Sequence, residues 1–354
     1  MSAMTVASIS SQYLGTAMIP AITQSQSQFT RLEVESSTGQ YADLGLQLGA
    51  QSGYELSLRG QTELLQSLIS ANNVITTNLS TTQNALDSLR TNAQNTLQSL
   101  TTWSSGGNSD ATLQTLGSGS LQQLISLANT ASGDQYVFGG VNTGTPPLAA
   151  YSATPPSSAK SAIDSAFQSA FGVSPTDAAA STISASDIQN FLTGPFAAEF
   201  SGANWTSNWS AASSTNTSSA IAPGQTIDTS TNANQPGFKQ LAQAYTMLTE
   251  FGGSQLSASA QEVVASTASS LISQGLSSLT GTEGDVGAAQ SEITQANSQM
   301  SSQLTILETQ VGNLDNVNAA AVATQLNSLT TQIETAYQLT AQLQKISLAQ
   351  YLPT

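Results

Sequence analysis

Apolar residues recur at alternating steps of three and four near the amino end of this chain and again near its carboxyl end. Such spacing is typical of a coiled coil, whose apolar seam must be buried against another helix. The first seam contains Leu65, Leu68, Ile75, Leu79, Leu86, Leu89, Ala93 and Leu100. The second contains Ile293, Ala296, Met300, Leu304, Leu307, Val311 and Leu314, and it resumes less regularly through Leu326, Leu329, Ile333 and Leu343. Seams at opposite ends indicate that the two ends of the chain pack together while the middle loops out.

The seams predict a mainly α fold, namely a long antiparallel helical coiled-coil bundle formed by both chain ends, with a small β-rich inserted domain. Helix-breaking residues predict interruptions at Pro20 and around Gly312. The same seams would also suit an ordinary self-contained bundle, so their use in assembly is one of two alternatives. The predicted segments are an amino-terminal assembly segment (1–50), amino-terminal bundle helices (51–134), a β-rich insert (135–236), carboxyl-terminal bundle helices (237–312) and a carboxyl-terminal assembly helix (313–354).

The insert is dominated by Ser, Thr, Ala, Gly and Asn, and short elements are predicted within it. Residues 163–171 and 185–192 favour short helices. Residues 196–209 and 218–230 favour strands around turns, of which Pro223-Gly224 is the clearest. These strands are the basis for calling the insert β-rich.

The insert supplies no seam of its own, so we expect it to lie on the outer surface. On the same argument, residues 150–235 should be dispensable for assembly. Trp205 and Trp209 are expected to pack in a small β core. The alternative for these two rings is sugar binding, as in a secreted adhesin or sugar-binding surface protein.

Composition excludes several classes of function. The chain has no Cys and no His, so a thiol nucleophile, an imidazole base and the commonest zinc ligands are missing. It has neither a phosphate-binding glycine loop nor a serine-hydrolase elbow, so we expect no enzyme and no cofactor or metal. Six Lys and Arg against 21 Asp and Glu cannot neutralise a run of phosphates, which argues against nucleic-acid partners. No apolar run approaches the roughly 18–20 residues of a membrane span, so no membrane insertion is expected.

Three stretches of the chain resemble the bacterial flagellin family. Residues 32–45 resemble the end of the amino-terminal family segment, and residues 323–352 resemble the carboxyl-terminal family helix. The third stretch is similar to the aromatic–glycine–proline signature of the family members that join hook to filament. Its matching residues are Tyr136, Phe138, Gly139, Gly140, Pro146 and Pro147.

The resemblance implies a structural protein of the flagellar hook–filament junction, with a flagellin filament subunit as the alternative within the family. It implies helical self-assembly of terminal coiled-coil segments. The implied partners are copies of the chain, a hook-associated junction protein, flagellin and an export chaperone. The implied location is extracellular, in the bacterial flagellum. Because the first basic residue is Arg31, no positively charged signal segment precedes it, and we expect export without a cleaved signal peptide.

Two substitutions close together in the first seam test its burial. Leu86→Asp places an unpaired charge in the seam and removes packing, so it should lower the free energy of unfolding by about 3–5 kcal/mol. Ser88→Asp lies off the seam and should leave the free energy of unfolding nearly unchanged. Thermal unfolding of the two variants measures the difference, and equal shifts would remove the coiled-coil assignment.

Overall fold

The computed structural model describes the backbone of residues 3–106 and 110–351, and side-chain burial for 19–106, 112–342 and 345. The α-helices are α1 (Ala3–Thr38), α2 (Leu44–Leu48), α3 (Ser52–Ser104), α4 (Asp110–Ala128), α5 (Ser158–Phe171), α6 (Ala185–Thr193), α7 (Pro195–Ala198), α8 (Gly202–Asn208), α9 (Pro236–Phe251), α10 (Ala258–Asp315) and α11 (Ala319–Tyr351). Short 3-10 helices span Gly49–Gln51 and Ala178–Thr182, and the strands are β1 (Ala131–Ser132), β2 (Gln135–Tyr136), β3 (Ser218–Ala222) and β4 (Gln225–Asp228). The prediction of a mainly α fold is confirmed.

The chain forms two compact units, and both ends of the chain contribute to unit 1. Unit 1 comprises Met1–Leu65 and Ser302–Thr354, and unit 2 comprises Gln66–Ser301. The long helices α3 and α10 each contribute residues to both units.

In unit 2, α3 and α10 each bury a position that recurs every seven residues. Asn72 Nδ2 donates to Asn297 Oδ1 at 2.7 Å, and Arg90 Nε donates to Glu283 Oε1 at 3.2 Å, so residue numbers rise along α3 as they fall along α10. The predicted antiparallel pairing of helices from the two halves of the chain is therefore confirmed. Nearly complete burial is shared by Leu79, Leu86, Ala93 and Leu100 of α3 and by Ile272, Leu279, Val286, Ile293 and Met300 of α10.

The other seam position of α3 is buried only in the later part of the helix. Leu68 and Ile75 are half-buried, whereas Leu89 and Thr96 are buried. The difference arises because α4 lies along this later part, where the Thr96 and Ser120 hydroxyls are 2.8 Å apart. The seam predicted from the sequence is thus covered by two different helices over its length.

Helices α4 and α9 approach each other closely through glycine. A Cβ atom on Gly117 would lie 2.6 Å from Leu248 Cβ, and a Cβ atom on Gly252 would lie 2.7 Å from Leu113 Cβ. The two helices are antiparallel, because Leu113 precedes Gly117 on α4 whereas its partner Gly252 follows Leu248, the partner of Gly117. Any larger residue at these two positions would push the backbones apart.

The insert contains more helix than the sequence predicted. Residues 196–209 fall largely in α7 and α8, so the predicted strand is wrong. The helical signal was present, because Phe196 and Phe200, like Trp205 and Trp209, are four residues apart and so share one helix face. Their ring centroids are 5.1 Å and 5.9 Å apart, respectively.

The other short elements of the insert agree with the sequence. Helices α5 and α6 occupy the two predicted helical stretches, and β3 pairs antiparallel with β4. The turn between them is Pro223-Gly224, in which Gly224 has φ +79°. A positive φ at the residue after proline is the geometry that favours glycine in a type II turn.

The insert and α9 share one aromatic core. Phe251 of α9 has its ring centroid 5.4 Å from Phe167, 5.8 Å from Phe191 and 5.5 Å from Phe196. Removing residues 150–235 would expose Phe251 and leave α9 without these partners. The packing therefore argues against the expectation that this segment is dispensable.

In unit 1, α1 and α11 pack against each other. Leu32 of α1 forms a small core with Val322 and Leu329 of α11. The Gln26 side-chain amide donates to the Tyr337 hydroxyl, so the two helices run antiparallel.

Three further sequence predictions concern these terminal helices. Leu326 and Ile333 are partly buried against the small core of unit 1, whereas Leu343 lies outside the residues whose side chains are described. The interruption around Gly312 is confirmed, since α10 ends at Asp315. The predicted interruption at Pro20 is wrong, because α1 continues through this residue. The φ of proline suits a helix, so α1 continues although Pro20 removes one hydrogen bond and its ring crowds the preceding turn.

Two glycines of α4 give a matched test of the contact with α9. Gly119→Ala should raise the free energy of unfolding by up to about 1 kcal/mol, because its Cβ meets open space and alanine favours the helix. Gly117→Ala should instead lower it by about 1–3 kcal/mol, because its Cβ meets Leu248. Urea unfolding of both variants measures the difference, and equal stabilisation would contradict the close approach.

Candidate assembly interface and insert-docking motif

The aromatic and glycine part of the motif forms a turn on which later parts of the chain dock. Phe138 is buried and packs edge-on against Phe238, with ring centroids 5.0 Å apart. The Phe138 carbonyl accepts a hydrogen bond from Ala233 N, and the Gly139 carbonyl accepts one from Ser213 N, each at 2.9 Å. The insert therefore rejoins the bundle at this turn.

Both glycines of the motif are required by close backbone contacts. A Cβ atom on Gly139 would lie 2.5 Å from the Asn142 carbonyl oxygen. A Cβ atom on Gly140 would lie 2.5 Å from the carbonyl oxygen of Ser213 and 2.6 Å from that of Thr215. Gly140 also has φ +62°, a conformation that strains other residues.

The proline part of the motif continues this docking. The carbonyl of Pro147, a buried residue, accepts a hydrogen bond from Ala211 N at 3.0 Å, while Pro146 is exposed and Tyr136 is half-buried. The six motif residues thus lie along one connection. Phe138, Gly139, Gly140 and Pro147 make close contacts with residues 211–238, so these motif residues contribute to folding.

Two asparagines that the sequence analysis missed complete the docking. The side-chain amide of Asn129 bonds both the N–H and the carbonyl of Leu148, each at 2.8 Å. Asn234 Oδ1 accepts from Trp205 Nε1 and from Ser210 Oγ, each at 2.7 Å. A usable signal was their position, since Asn129 follows the last residue of α4 and Asn234 lies just before α9.

The tryptophans of the insert are buried among other aromatic rings. Trp205 is fully buried and Trp209 nearly so, and Trp209 stacks on Tyr151 with centroids 5.3 Å apart. Lys239 Nζ lies over the Trp205 ring, 5.9 Å from its centroid. A buried ring cannot stack on a sugar, so the adhesin alternative loses the observation that supported it.

Exposed apolar side chains are concentrated in unit 1, which is about one third of the chain. Among residues with described burial, nine of the eleven large apolar side chains that are exposed belong to this unit. Clustered exposed apolar side chains mark interaction sites in soluble proteins. They are Ile19, Val34, Leu46, Tyr54, Leu56, Leu64, Ile306, Tyr337 and Leu339.

Helix α3 carries both a buried and an exposed set of leucines within unit 1. Leu58 and Leu65 are almost completely buried, whereas Leu56 is 69% exposed and Leu64 is 53% exposed. One face of the helix is therefore used inside the protein, and a second apolar face is available for a partner.

A cleft of about 1000 Å³ in unit 2 contains a charged cluster formed by α5 and α9. Lys160 Nζ is 3.1 Å from Asp164 and 2.9 Å from Glu250, and the Tyr151 hydroxyl donates to Glu250 at 2.8 Å. Burial and the neighbouring Glu250 raise the pKa of Tyr151. Burial lowers the pKa of Lys160, but hydrogen bonds to Glu250 and Asp164 outweigh it and the net shift is upward. Both groups stay protonated at neutral pH, so neither serves as a base or nucleophile.

Within the described part of the chain, no three acidic side chains come close enough together to hold a metal ion. Nor is any described helix both long and apolar enough to cross a membrane. The described residues form a helical protein whose terminal unit exposes apolar side chains.

The comparisons with known proteins identify the family. Residues 9–143 match the bacterial flagellin N-terminal helical region, and residues 269–352 match the bacterial flagellin C-terminal helical region. Together the two regions cover more than half of the chain. The protein belongs to the bacterial flagellin family and is a non-enzymatic structural protein of the flagellum.

Two solved structures are similar to this chain. One, described as a flagellar hook-associated protein from Vibrio parahaemolyticus, is 13% identical, with a TM-score of 0.49 over 75% of this chain and 97% of the other. The other, FlgL from Bacillus cereus, is 16% identical, with a TM-score of 0.43 over 73% of this chain and 99% of the other. No curated protein matches the sequence.

Two glycines with positive φ test the docking role of the motif. Gly140→Ala and Gly133→Ala both place alanine in the left-handed region, which costs about 1–2 kcal/mol. Only the Cβ at position 140 meets other atoms, so Gly140→Ala should lose about 1–3 kcal/mol more than Gly133→Ala. Urea unfolding compares the two, and equal losses would show that the motif does not hold the returning chain.

Proposed function

We propose that this protein is a subunit of the junction between the flagellar hook and filament, built by helical self-assembly of its terminal segments. The observation that carries the assembly role is the concentration of exposed apolar side chains in unit 1. Leu56 and Leu64 are the strongest example, because the same part of α3 buries Leu58 and Leu65 within the protein. Covering such side chains with a partner removes apolar surface from water, which favours association.

The low charge of the chain suits repeated contact between copies. Only 8% of the residues are charged, and Ser, Thr, Asn and Gln supply most of the polar surface. Packing such surfaces together removes few charges from water, so the desolvation cost is small. The apolar side chains then supply the favourable free energy, about 1.5–3 kcal/mol for each leucine that becomes fully buried.

The proposal assigns a role to each predicted segment. Segments 1–50 and 313–354 form the assembly layer, and segment 135–236 faces outward. Segments 51–134 and 237–312 form the supporting helices, whose exposed leucines Leu56 and Leu64 add to the assembly surface. The partners are copies of the chain, a hook-associated junction protein, flagellin and an export chaperone. The protein acts outside the cell, in the flagellum.

The resemblance of the motif at Tyr136–Leu148 to junction proteins favours the junction over the filament. A flagellin subunit is the alternative within the family. A secreted adhesin is the alternative from another class, and the burial of Trp205 and Trp209 weighs against it. The three functions differ in what a bacterium without the gene would still build.

A deletion strain separates the three functions. Without a junction subunit, the cells should build hooks and export flagellin into the medium but carry no filaments, as seen by electron microscopy. Without flagellin, they would have nothing to export. Without an adhesin, they would keep filaments and lose only attachment. Normal filaments in the deletion strain would contradict the proposal of a junction subunit.

Complementation of that strain tests the assembly surface. A Leu56→Ser/Leu64→Ser variant should lose on the order of 3 kcal/mol of association free energy at each contact between subunits, which is about a 100-fold weaker association. It should therefore restore few filaments. Its thermal unfolding midpoint should stay near that of the wild type, since both side chains are exposed. Val74→Ser, at a residue of α3 in unit 2 that is 62% exposed, is the matched control and should restore filaments. Full restoration by the double variant would show that this face is not an interface.

A further inference from the structure

Two chain segments of unit 1 lie side by side where the terminal helices begin and end, and we call this pair the joint (39–43 and 315–318). Gln40 and Asn316 form an antiparallel bridge. Tyr41 N donates to the Asp315 carbonyl at 3.0 Å, and Val317 N donates to the Gly39 carbonyl at 2.9 Å. The end of α1 and the start of α11 are therefore held at the same level by main-chain hydrogen bonds.

Local caps shape each segment of the joint. Asp43 Oδ1 accepts from Leu46 N at 2.9 Å and begins α2. Asn318 Oδ1 accepts from Ala320 N at 3.1 Å and begins α11. These contacts join close neighbours in sequence, so they define the turns but do not tie the joint to α3.

Asp315 is the residue through which α3 reaches the joint. It is fully buried, and its main-chain carbonyl already accepts from Tyr41. Its Oδ2 atom accepts from Arg59 Nη2, while its Oδ1 atom has no hydrogen-bond partner in the part of the chain that the structure describes. A buried carboxylate is costly unless it is paired, so this ion pair matters more than a surface pair.

Arg59 holds two carboxylates at once. Its Nε atom donates to Glu55, one turn earlier on α3, and its Nη2 atom donates to Asp315. The contact with Glu55 fixes the direction of the guanidinium group, whose planar arrangement of donors allows two acceptors. The side chain is thereby aimed from α3 at the joint.

We propose that Arg59 is a positioning residue that keeps the joint closed, and that the closed joint orients α1 and α11 for assembly. Without Arg59, the charge of Asp315 would be buried and unpaired. Opening of the joint to water would relieve that cost and break the hydrogen bonds of Tyr41 and Val317. The second half of the proposal rests on the proposed function, whereas the first half concerns the isolated protein.

Hydrogen exchange on the full-length monomer tests the first half. In Arg59→Met, peptides containing Tyr41 and Val317 should exchange roughly tenfold faster or more, because closure of the joint is weakened. Arg90→Met is the matched control, since Arg90 also pairs with two carboxylates, Asp87 and Glu283, but lies in unit 2. It should leave exchange at the joint unchanged. Wild-type exchange at the joint in Arg59→Met would overturn the proposal.

A double variant tests whether the buried charge is the cause. Arg59→Met/Asp315→Asn removes the unpaired charge of Asp315, while Glu55 loses Arg59 in the single and the double variant alike. The joint of the double variant should therefore exchange more slowly than that of Arg59→Met alone. Equal exchange in the single and double variants would overturn the electrostatic explanation. If Arg59→Met folds poorly, better folding of the double variant would support the electrostatic explanation, and equally poor folding would overturn it.

Complementation of the deletion strain tests the second half. Arg59→Met should restore few filaments although unit 2 retains its thermal stability. Full restoration would overturn the link between the joint and assembly. If the wild-type gene itself proves unnecessary for filaments, the proposed function fails, and the exchange experiment still decides whether Arg59 holds the joint.

Discussion

Burial of the seam position that recurs every seven residues along α3 is the constraint on which the other features depend. Leu58 and Leu65 in unit 1 and Leu79, Leu86, Ala93 and Leu100 in unit 2 all occupy this position, and all are buried. Each leucine contributes about 1.5–3 kcal/mol when fully buried, so the seam is a main contribution to the packing of this helix of 53 residues. With one face of α3 committed in this way, its remaining faces can receive α4 or stay exposed.

Asn72 is the polar exception within that seam, and it links α3 to the insert. It is fully buried, and its amide donates to Asn297 of α10 at 2.7 Å and to the Ile221 carbonyl of β3 at 2.8 Å. A buried asparagine costs stability relative to leucine but favours one register of a helix pair. The β3–β4 hairpin is thus held by the same residue that pairs the two long helices. With the aromatic core around Phe251, this makes the insert an integral part of unit 2.

Unit 1 is organised differently, because its apolar side chains are divided between a small core and the surface. Leu32, Val322 and Leu329 form the core, whereas Leu56 and Leu64 remain exposed. A small core with charged and main-chain contacts around it depends more on individual interactions than a large aromatic core does. This is why a single ion pair, between Arg59 and Asp315, can determine how the terminal helices are held.

The sequence by itself determined most of the helices and the seam, because both are local properties of residue spacing. It also held an unread signal, since the four-residue spacing of Phe196 and Phe200 predicts a helix rather than a strand. Only the tertiary structure decided which faces of α3 are covered by other helices. Leu68 is half-buried and Leu89 is buried although both occupy seam positions, because α4 lies along only part of α3. The pairing of Arg59 with Asp315, 256 residues apart, likewise depends on the path of the chain, which no local pattern encodes.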